Sequence, residues 1–205
     1  MMLLSTSISS KQGGFLTRRL YVPHDVWSQG GAKLTNLSEK GKCVEVLNGA
    51  LEDVVNGSSE FFRGAGRQSA ERWLKCLDEW TNVCEGVLSS VGKKLGVGES
   101  ITARKSNGVT SWSGKVSRTF DRMTSGKNFD SPAVYTHGLT KLFHQAQLFD
   151  EHIKAFSTSL IPTPYSTLAP DLRHQIEARL KRSSEFFASV ILTWYVKKGE
   201  KWLEE

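Results

Sequence analysis

The sequence predicts an all-α protein, an antiparallel bundle of about four helices interrupted by one long basic loop. Three observations support this fold class. Apolar residues recur at steps of three and four along four stretches, glycine or proline ends most of these stretches, and no stretch combines strand-like alternation with turn residues. The same heptad-like stripes would also fit three long helices in an extended, coiled-coil-like arrangement.

The first two predicted helices lie between Ser38 and Leu95. The first is short and ends at Asn56-Gly57, a pair typical of the carboxyl end of a helix. The second is long and begins near Gln68. The apolar stripes are Val44, Leu47, Leu51 and Val54 in the first helix, and Trp73, Leu77, Trp80, Cys84, Val87 and Val91 in the second.

The last two predicted helices begin with proline signals. An Asp-Ser-Pro sequence at 130–132 supplies an N-cap and a proline at the first helical position, followed by an apolar stripe over 135–160. Three prolines in 162–170 predict a connector. We expect Asp171 to cap the fourth helix, whose apolar surface widens over 186–196.

Residues 1–37 are expected to form a tail or targeting segment, separate from a helical domain over 38–205. The first 24 residues contain three basic residues, no acidic residue, and five serines or threonines in the first ten positions. This composition fits a mitochondrial transit peptide. The alternatives are a disordered tail, or a tail that docks on the domain through Phe15, Leu16, Leu20 and Tyr21.

Apolar runs in this chain are much shorter than the roughly 20 residues of a membrane-spanning helix. Three cysteines do not make a complete set of disulfides, which favours a reducing compartment. The predicted location is therefore cytoplasmic, with peripheral contact to a membrane, and mitochondrial as the alternative.

The net charge of +6 is concentrated between residues 93 and 127, which we call the basic segment. It has eight basic and two acidic residues, whereas the rest of the chain has 19 of each. Glycine, serine and threonine are abundant there, which predicts a flexible loop over 96–128. Each cation contributes on the order of 1 kcal/mol near an anionic bilayer. The predicted membrane- or anion-binding residues are Lys93, Lys94, Arg104, Lys105, Trp112, Lys115, Arg118, Phe120, Arg122 and Lys127.

Ten serines and threonines lie among these cations between residues 100 and 125. Ser106 follows Arg104-Lys105 and Thr119 follows Arg118, so both are candidate sites for basic-directed kinases. Because a phosphate adds nearly two negative charges, phosphorylation would weaken binding to an anionic surface. The alternative is a solvated, unmodified linker whose cations only maintain solubility.

The residues that could carry chemistry do not form a recognisable catalytic or metal-binding pattern. His137 and His144 are seven residues apart on the predicted solvent face, whereas helical metal ligands are usually three or four apart. Cys84 falls on an apolar stripe, and neither Cys43 nor Cys76 has a histidine placed beside it. We therefore expect no enzyme activity, no metal, no cofactor and no small-molecule substrate.

The leading hypothesis is a non-enzymatic helical scaffold or adaptor. Its stripes would bind a protein partner or a second copy, and its basic loop would contact an anionic membrane. The candidate partner-binding residues are Phe186, Val190, Trp194 and Trp202. One alternative is a soluble mitochondrial protein with a cleaved presequence. Another is a helical nucleic-acid-binding module, which is less favoured because charge is balanced outside the basic segment.

Overall fold

The computed structural model describes residues 2–15, 21–25, 36–64, 66–95, 122–157 and 162–191. Helix accounts for 82% of the residues that can be interpreted and strand for 3%, so the predicted all-α class is confirmed for this part of the chain. The elements are α1 (Met2–Ser9), β1 (Gly14–Phe15), β2 (Tyr21–Val22), α2 (Leu37–Arg63), α3 (Arg67–Leu95), α4 (Pro132–Ser157), a 3-10 helix (Pro164–Thr167), α5 (Pro170–Phe186) and a π-helical turn (Phe187–Ile191).

Helix α2 is longer than predicted because it continues through Gly57 to Arg63. The predicted stop at Asn56-Gly57 is wrong. A Cβ built on Gly57 would lie 2.8 Å from the Sγ of Cys76 on α3. Glycine at this position therefore allows close packing between two helices instead of ending one. Helix α3 begins at Arg67 and ends at Leu95, in agreement with the predicted bounds.

Helices α2 and α4 run in the same direction. Asn48 on α2 donates a hydrogen bond from Nδ2 to the carbonyl oxygen of Gly138 on α4, at 2.9 Å. Ten residues later, Ser58 Oγ lies 2.7 Å from Nε2 of His152. Residue numbers rise together along both helices, so this neighbouring pair is parallel.

Helices α3 and α5 are also parallel. Arg179 on α5 pairs with Asp78 on α3 at 3.0 Å, and Arg182 pairs with Glu85 further along both helices. The antiparallel four-helix bundle predicted from the sequence is therefore not confirmed. Helix α2 packs against both α3 and α4, and α5 packs against both α3 and α4.

The core is built from the predicted stripes. Trp73 and Trp80 of α3 are both fully buried, and Trp80 packs against Phe149 of α4 and Phe187 of the π-helical turn. The other stripe residues with described side chains that are buried are Val44, Leu47, Leu51, Val54, Leu77, Cys84, Val87, Tyr135, Leu139, Leu142, Ala146, Ile176, Leu180, Ser183 and Val190.

Helix α4 is buried over a wider surface than one stripe. Phe143 and Leu148 are buried although they lie off the predicted stripe, which consists of Tyr135, Leu139, Leu142, Ala146, Phe149, Ile153, Phe156 and Leu160. Helix α4 packs against α1, α2 and α5, and rings of α3 also contact it. Helical spacing alone locates the main apolar face but not the extra faces that further neighbours cover.

Proline begins both of the last two helices, as predicted. Pro132 is the first residue of α4 and Pro170 is the first residue of α5. The expectation that Asp171 caps α5 is wrong, because Ala169 occupies the N-cap position and makes no side-chain cap. Asp171 lies in the first turn, where a carboxylate interacts favourably with the helix dipole.

The amino-terminal residues that the structure describes are part of the fold. Helix α1 contacts α4 and buries Ser7 and Ile8. The alternative of docking through Phe15 and Tyr21 is not supported, because both rings are exposed. Leu16 and Leu20 lie outside the described residues. A two-residue antiparallel ladder, which the sequence did not predict, pairs β1 with β2.

Within the described part of the chain, none of the helices combines the length and the apolar character that crossing a membrane requires.

Candidate functional site

Two parts of the molecule have unusual chemistry: the basic segment and a buried polar cluster. Of the basic segment, the structure describes the backbone of Lys93 and Lys94 in the last turn of α3, and an exposed Arg122. Lys127 makes an ion pair with Glu45 of α2. The remaining predicted site residues lie outside the described residues, namely Arg104, Lys105, Ser106, Trp112, Lys115, Arg118, Thr119 and Phe120.

The last residues of the predicted loop pack on α2. Phe129 is buried, and a Cβ built on Gly41 of α2 would lie 2.9 Å from its ring. The half-buried side chain of Met123 contacts α2 at Gly49. Residues 122–128, which the sequence assigns to the flexible loop, are therefore held on the first half of α2.

Both ends of the basic segment lie at the same end of the molecule. Helices α2 and α3 contain 27 and 29 residues, or about 40 and 44 Å at 1.5 Å per residue. They follow each other closely and pack against each other, so Leu95 lies level with the beginning of α2. Phe129 packs on that same beginning of α2. The segment therefore leaves and re-enters the helical part of the molecule at one end.

The buried polar cluster joins four elements around His152, which is fully buried. Its Nε2 lies 2.7 Å from Oγ of Ser58 on α2, and its Nδ1 is hydrogen bonded to the hydroxyl of Tyr165 in the 3-10 helix. Trp73 on α3 donates from Nε1 to the same hydroxyl at 3.3 Å. The imidazole lies between two aromatic rings, with centroids 4.8 Å from Phe62 and 4.7 Å from Trp73.

The direction of the hydrogen bonds follows from the donors that are present. The Tyr165 oxygen accepts a hydrogen bond from the Trp73 indole N–H. Because the Tyr165 hydroxyl is buried, its own O–H needs an acceptor in the core. The acceptor in reach is Nδ1 of His152. In the tautomer in which Tyr165 donates to Nδ1, the imidazole proton lies on Nε2 and points to Ser58 Oγ. The chain of donors therefore runs from Trp73 through Tyr165 and His152 to Ser58.

This direction is the reverse of what a serine nucleophile needs. In a hydrolase the serine donates a hydrogen bond to the histidine before it loses its proton, whereas in this tautomer Ser58 accepts a hydrogen bond from the histidine. Ser58 is only 9% exposed and lies in the interior of α2, where the backbone N–H groups form the hydrogen bonds of the helix. Burial also lowers the pKa of His152 to about 4, which makes it a weak base at neutral pH. The cluster fixes the packing of α2, α3 and α4 on the connector.

Sequence analysis missed this role of His152. His152 lies three residues after Phe149 and four before Phe156, on the apolar spacing of α4. That spacing was the available indication of burial. The partners could not be found in the same way, since Ser58 is 94 residues away in the chain.

The other residues considered for chemistry lie where the spacing places them. His137 and His144 are exposed on α4. Burial raises the pKa of the Cys43 thiol to about 12 and also raises the pKa of Cys84. Burial and neighbouring carboxylates raise the pKa of the half-buried Cys76 thiol as well. These thiols remain protonated at neutral pH, whereas a reactive cysteine needs a lowered pKa.

A concave surface lies at the turn between α2 and α3. It encloses about 360 Å³ and its wall includes Arg63, Arg72 and Glu60. Charges of both signs therefore face the same space, and the wall favours neither an anion nor a cation strongly.

Two of the four candidate partner-binding residues lie in the core. Phe186 and Val190 are buried, and Phe186 packs edge-on against Trp80. At these two positions little surface is left for a partner. Trp194 and Trp202 lie outside the described residues.

Comparisons with models of known families, with curated proteins and with solved structures find no match to this chain. The function is therefore inferred from its residues and their geometry.

Proposed function

We propose that this protein is a non-enzymatic helical module that binds anionic membrane surfaces through its basic segment. The helices hold the two ends of the segment together, and the cations and aromatic rings of the segment make the contact. In this proposal the helical part contributes position and stability, and the segment contributes affinity.

One observation carries the proposal: the entire net charge belongs to a segment whose ends meet at one end of the molecule. Its eight basic residues oppose only two acidic ones. Cations near an anionic bilayer contribute about 1 kcal/mol each, and aromatic rings such as Trp112 and Phe120 add apolar contact at the interface. Lys127 contributes less, because it forms an ion pair with Glu45 of α2.

The charge on the helices favours a bilayer over a nucleic acid. Lys141 pairs with Glu52 between α4 and α2, and Arg179 pairs with Asp78 between α5 and α3. These cations are neutralised by neighbouring helices, so they add little to a continuous basic face. A protein that follows a duplex needs such a face to contact several phosphates.

The proposal assigns no partner to the helical stripes. Leu51, Trp80 and Leu142 are representative stripe residues, and all three are buried within this chain. At these three positions, a partner helix or a second copy would need apolar surface that the chain itself already covers. Binding to a membrane through the segment needs no such surface.

The test is cosedimentation with phosphatidylcholine vesicles with and without phosphatidylserine. The test variant carries glutamine at Arg104, Lys105, Lys115, Arg118 and Arg122. A matched control carries glutamine at five exposed cations of the described helices, Arg63, Arg72, Lys75, Lys154 and Lys181. Both variants lose the same formal charge, so a difference between them reports position and not net charge.

We expect the wild type and the control to bind vesicles that contain phosphatidylserine, and the test variant to lose most of this binding. Equal binding by the test variant and the wild type would reject the basic segment as the membrane contact. Equal loss in both variants would mean that net charge alone drives adsorption.

A further inference from the structure

The amino-terminal ladder exposes two aromatic rings. Phe15 of β1 is 58% exposed and Tyr21 of β2 is 45% exposed. The rings contact each other edge to face, with centroids 5.0 Å apart. The Tyr21 hydroxyl donates a hydrogen bond to the carbonyl oxygen of Gln12, which helps to hold the pair in place. We call Phe15 and Tyr21 the aromatic pair.

Exposed apolar surface is concentrated in this part of the molecule. Five large apolar side chains are prominently exposed among the described residues, and three of them, Leu3, Phe15 and Tyr21, belong to the first 21 positions. The other two, Phe62 and Val134, lie on separate helices. Single exposed apolar residues are normal on a protein surface, whereas two rings in mutual contact form a patch.

The chain around the patch has more basic than acidic residues, with three basic residues and one acidic residue in positions 1–25. The first acidic residue of the chain is Asp25, and three basic residues precede it. One of these, Lys11, is exposed in the turn between α1 and β1. An apolar patch in a segment with a net positive charge is complementary to a surface that offers both anionic headgroups and hydrocarbon.

We propose that the aromatic pair is a second membrane contact, which inserts at the headgroup level of an anionic bilayer. Rings of this kind favour the interface, where the apolar body meets lipid and the Tyr21 hydroxyl stays in a polar layer. Helix α1 holds the ladder on the protein, because it contacts both β1 and α4. The inserted rings are therefore connected to the core through a buried face and not through a loose tail.

This inference rests on the proposed function for its ligand, an anionic bilayer, but it uses different residues. Its failure is distinguishable from failure of the proposed function. The basic segment and the aromatic pair can be changed separately, since no residue belongs to both.

The first test compares vesicle cosedimentation of the full chain and of a variant with Phe15→Ser and Tyr21→Ser. Val134→Ser is the matched control, because Val134 is 49% exposed on α4 and apolar. We expect the double variant to bind phosphatidylserine vesicles roughly tenfold more weakly than the wild type, with the control unchanged. Thermal unfolding of all three chains checks that the exposed substitutions leave the fold intact.

The second test measures insertion directly. An environment-sensitive fluorophore is attached at Phe15→Cys or at Val134→Cys, in a background with Cys76→Ser. Cys43 and Cys84 are buried and are not expected to react. Emission should rise on addition of phosphatidylserine vesicles when the label is at position 15, and stay unchanged at position 134.

Three results would overturn the inference. They are binding of the double serine variant equal to that of the wild type, an equal emission change at both labelled positions, and absence of wild-type binding to any vesicle. If the glutamine variant of the basic segment binds like the wild type while position 15 inserts, the proposed function fails and the aromatic pair remains as the membrane contact.

Discussion

The helical body, α2 to α5, and the basic segment differ in how they use charge and apolar residues. In the body, apolar stripes face inward and cations on neighbouring helices pair with carboxylates. In the segment, cations greatly outnumber carboxylates and no apolar stripe is present. Under the proposed function, the body provides stability and the segment provides surface binding. Variants should therefore change one property and leave the other intact.

The strongest test of this contrast uses two tryptophans. Trp80→Ala removes a buried ring that packs on Phe149 and Phe187, and should lower the free energy of unfolding by about 3–5 kcal/mol. Trp112→Ala should change it by less than about 0.5 kcal/mol and should instead weaken vesicle binding. Denaturant unfolding and cosedimentation measure the two effects. Equal destabilisation by both substitutions would show that the contrast is wrong.

The body should also lose stability in mild acid because of His152. Its pKa in the folded protein, about 4, is below the value of 6.5 for an unperturbed histidine. The unfolded chain therefore binds a proton first as the pH falls. Above about pH 6.5 the histidine is neutral in both states and costs no stability. As the pH falls from about 6.5 to about 4, the free energy of unfolding decreases, and the loss reaches about 3 kcal/mol.

Carboxylates titrate in part of the same range, so the effect of His152 is measured by comparison. Unfolding is followed between pH 7 and pH 4 for His152→Gln and for His144→Gln, an exposed histidine of the same helix. The pH dependence should become shallower in the first variant and stay unchanged in the second. An identical dependence in both variants would mean that His152 is not protected from protonation by the fold.

A smaller loss of stability is expected at the amino terminus. Ile8→Ala removes a buried contact of α1 and should lower the free energy of unfolding by about 2 kcal/mol. Leu3→Ala, in the same helix but exposed, should have almost no effect. Thermal or denaturant unfolding distinguishes them. If neither change matters, α1 does not contribute to the fold, and a cleaved presequence becomes the better account of this segment.

The smallest effect is expected from added negative charge in the basic segment. Ser106→Glu and Thr119→Glu should each weaken vesicle binding by about fivefold, which corresponds to about 1 kcal/mol per charge. Glutamate at Ser166 and Thr167, exposed in the 3-10 helix, is the matched control. Cosedimentation gives the comparison. Similar weakening in the control would remove phosphorylation of the segment as a specific means of release.

The sequence was sufficient to predict most helices and much of the core. Stripes such as Leu47 to Val54 and Trp73 to Val87 follow from helical spacing, which depends on neighbours along the chain. Pro132 and Pro170 likewise mark the helix starts, since proline suits the first helical position. These features are local, so a single sequence contains the necessary information.

Features that depend on distant parts of the chain were not predicted. Gly57 resembles a helix end until the approach of Cys76 is known. His152 becomes part of a buried cluster through Ser58 and Tyr165, which two other elements supply. The parallel pairing of α2 with α4 has the same origin. Spacing shows which face of a helix is apolar, but the neighbour that covers this face is set by the fold as a whole.

The most direct test of the membrane proposal is competitive binding of the wild-type chain. Its partition onto phosphatidylserine vesicles is measured at low and physiological salt, beside neutral vesicles and an RNA duplex. We expect binding to the anionic vesicles that weakens as salt rises, with little binding to neutral vesicles and weak competition by RNA. Tight binding to RNA without binding to anionic vesicles would contradict the proposal and assign the basic segment to nucleic acid.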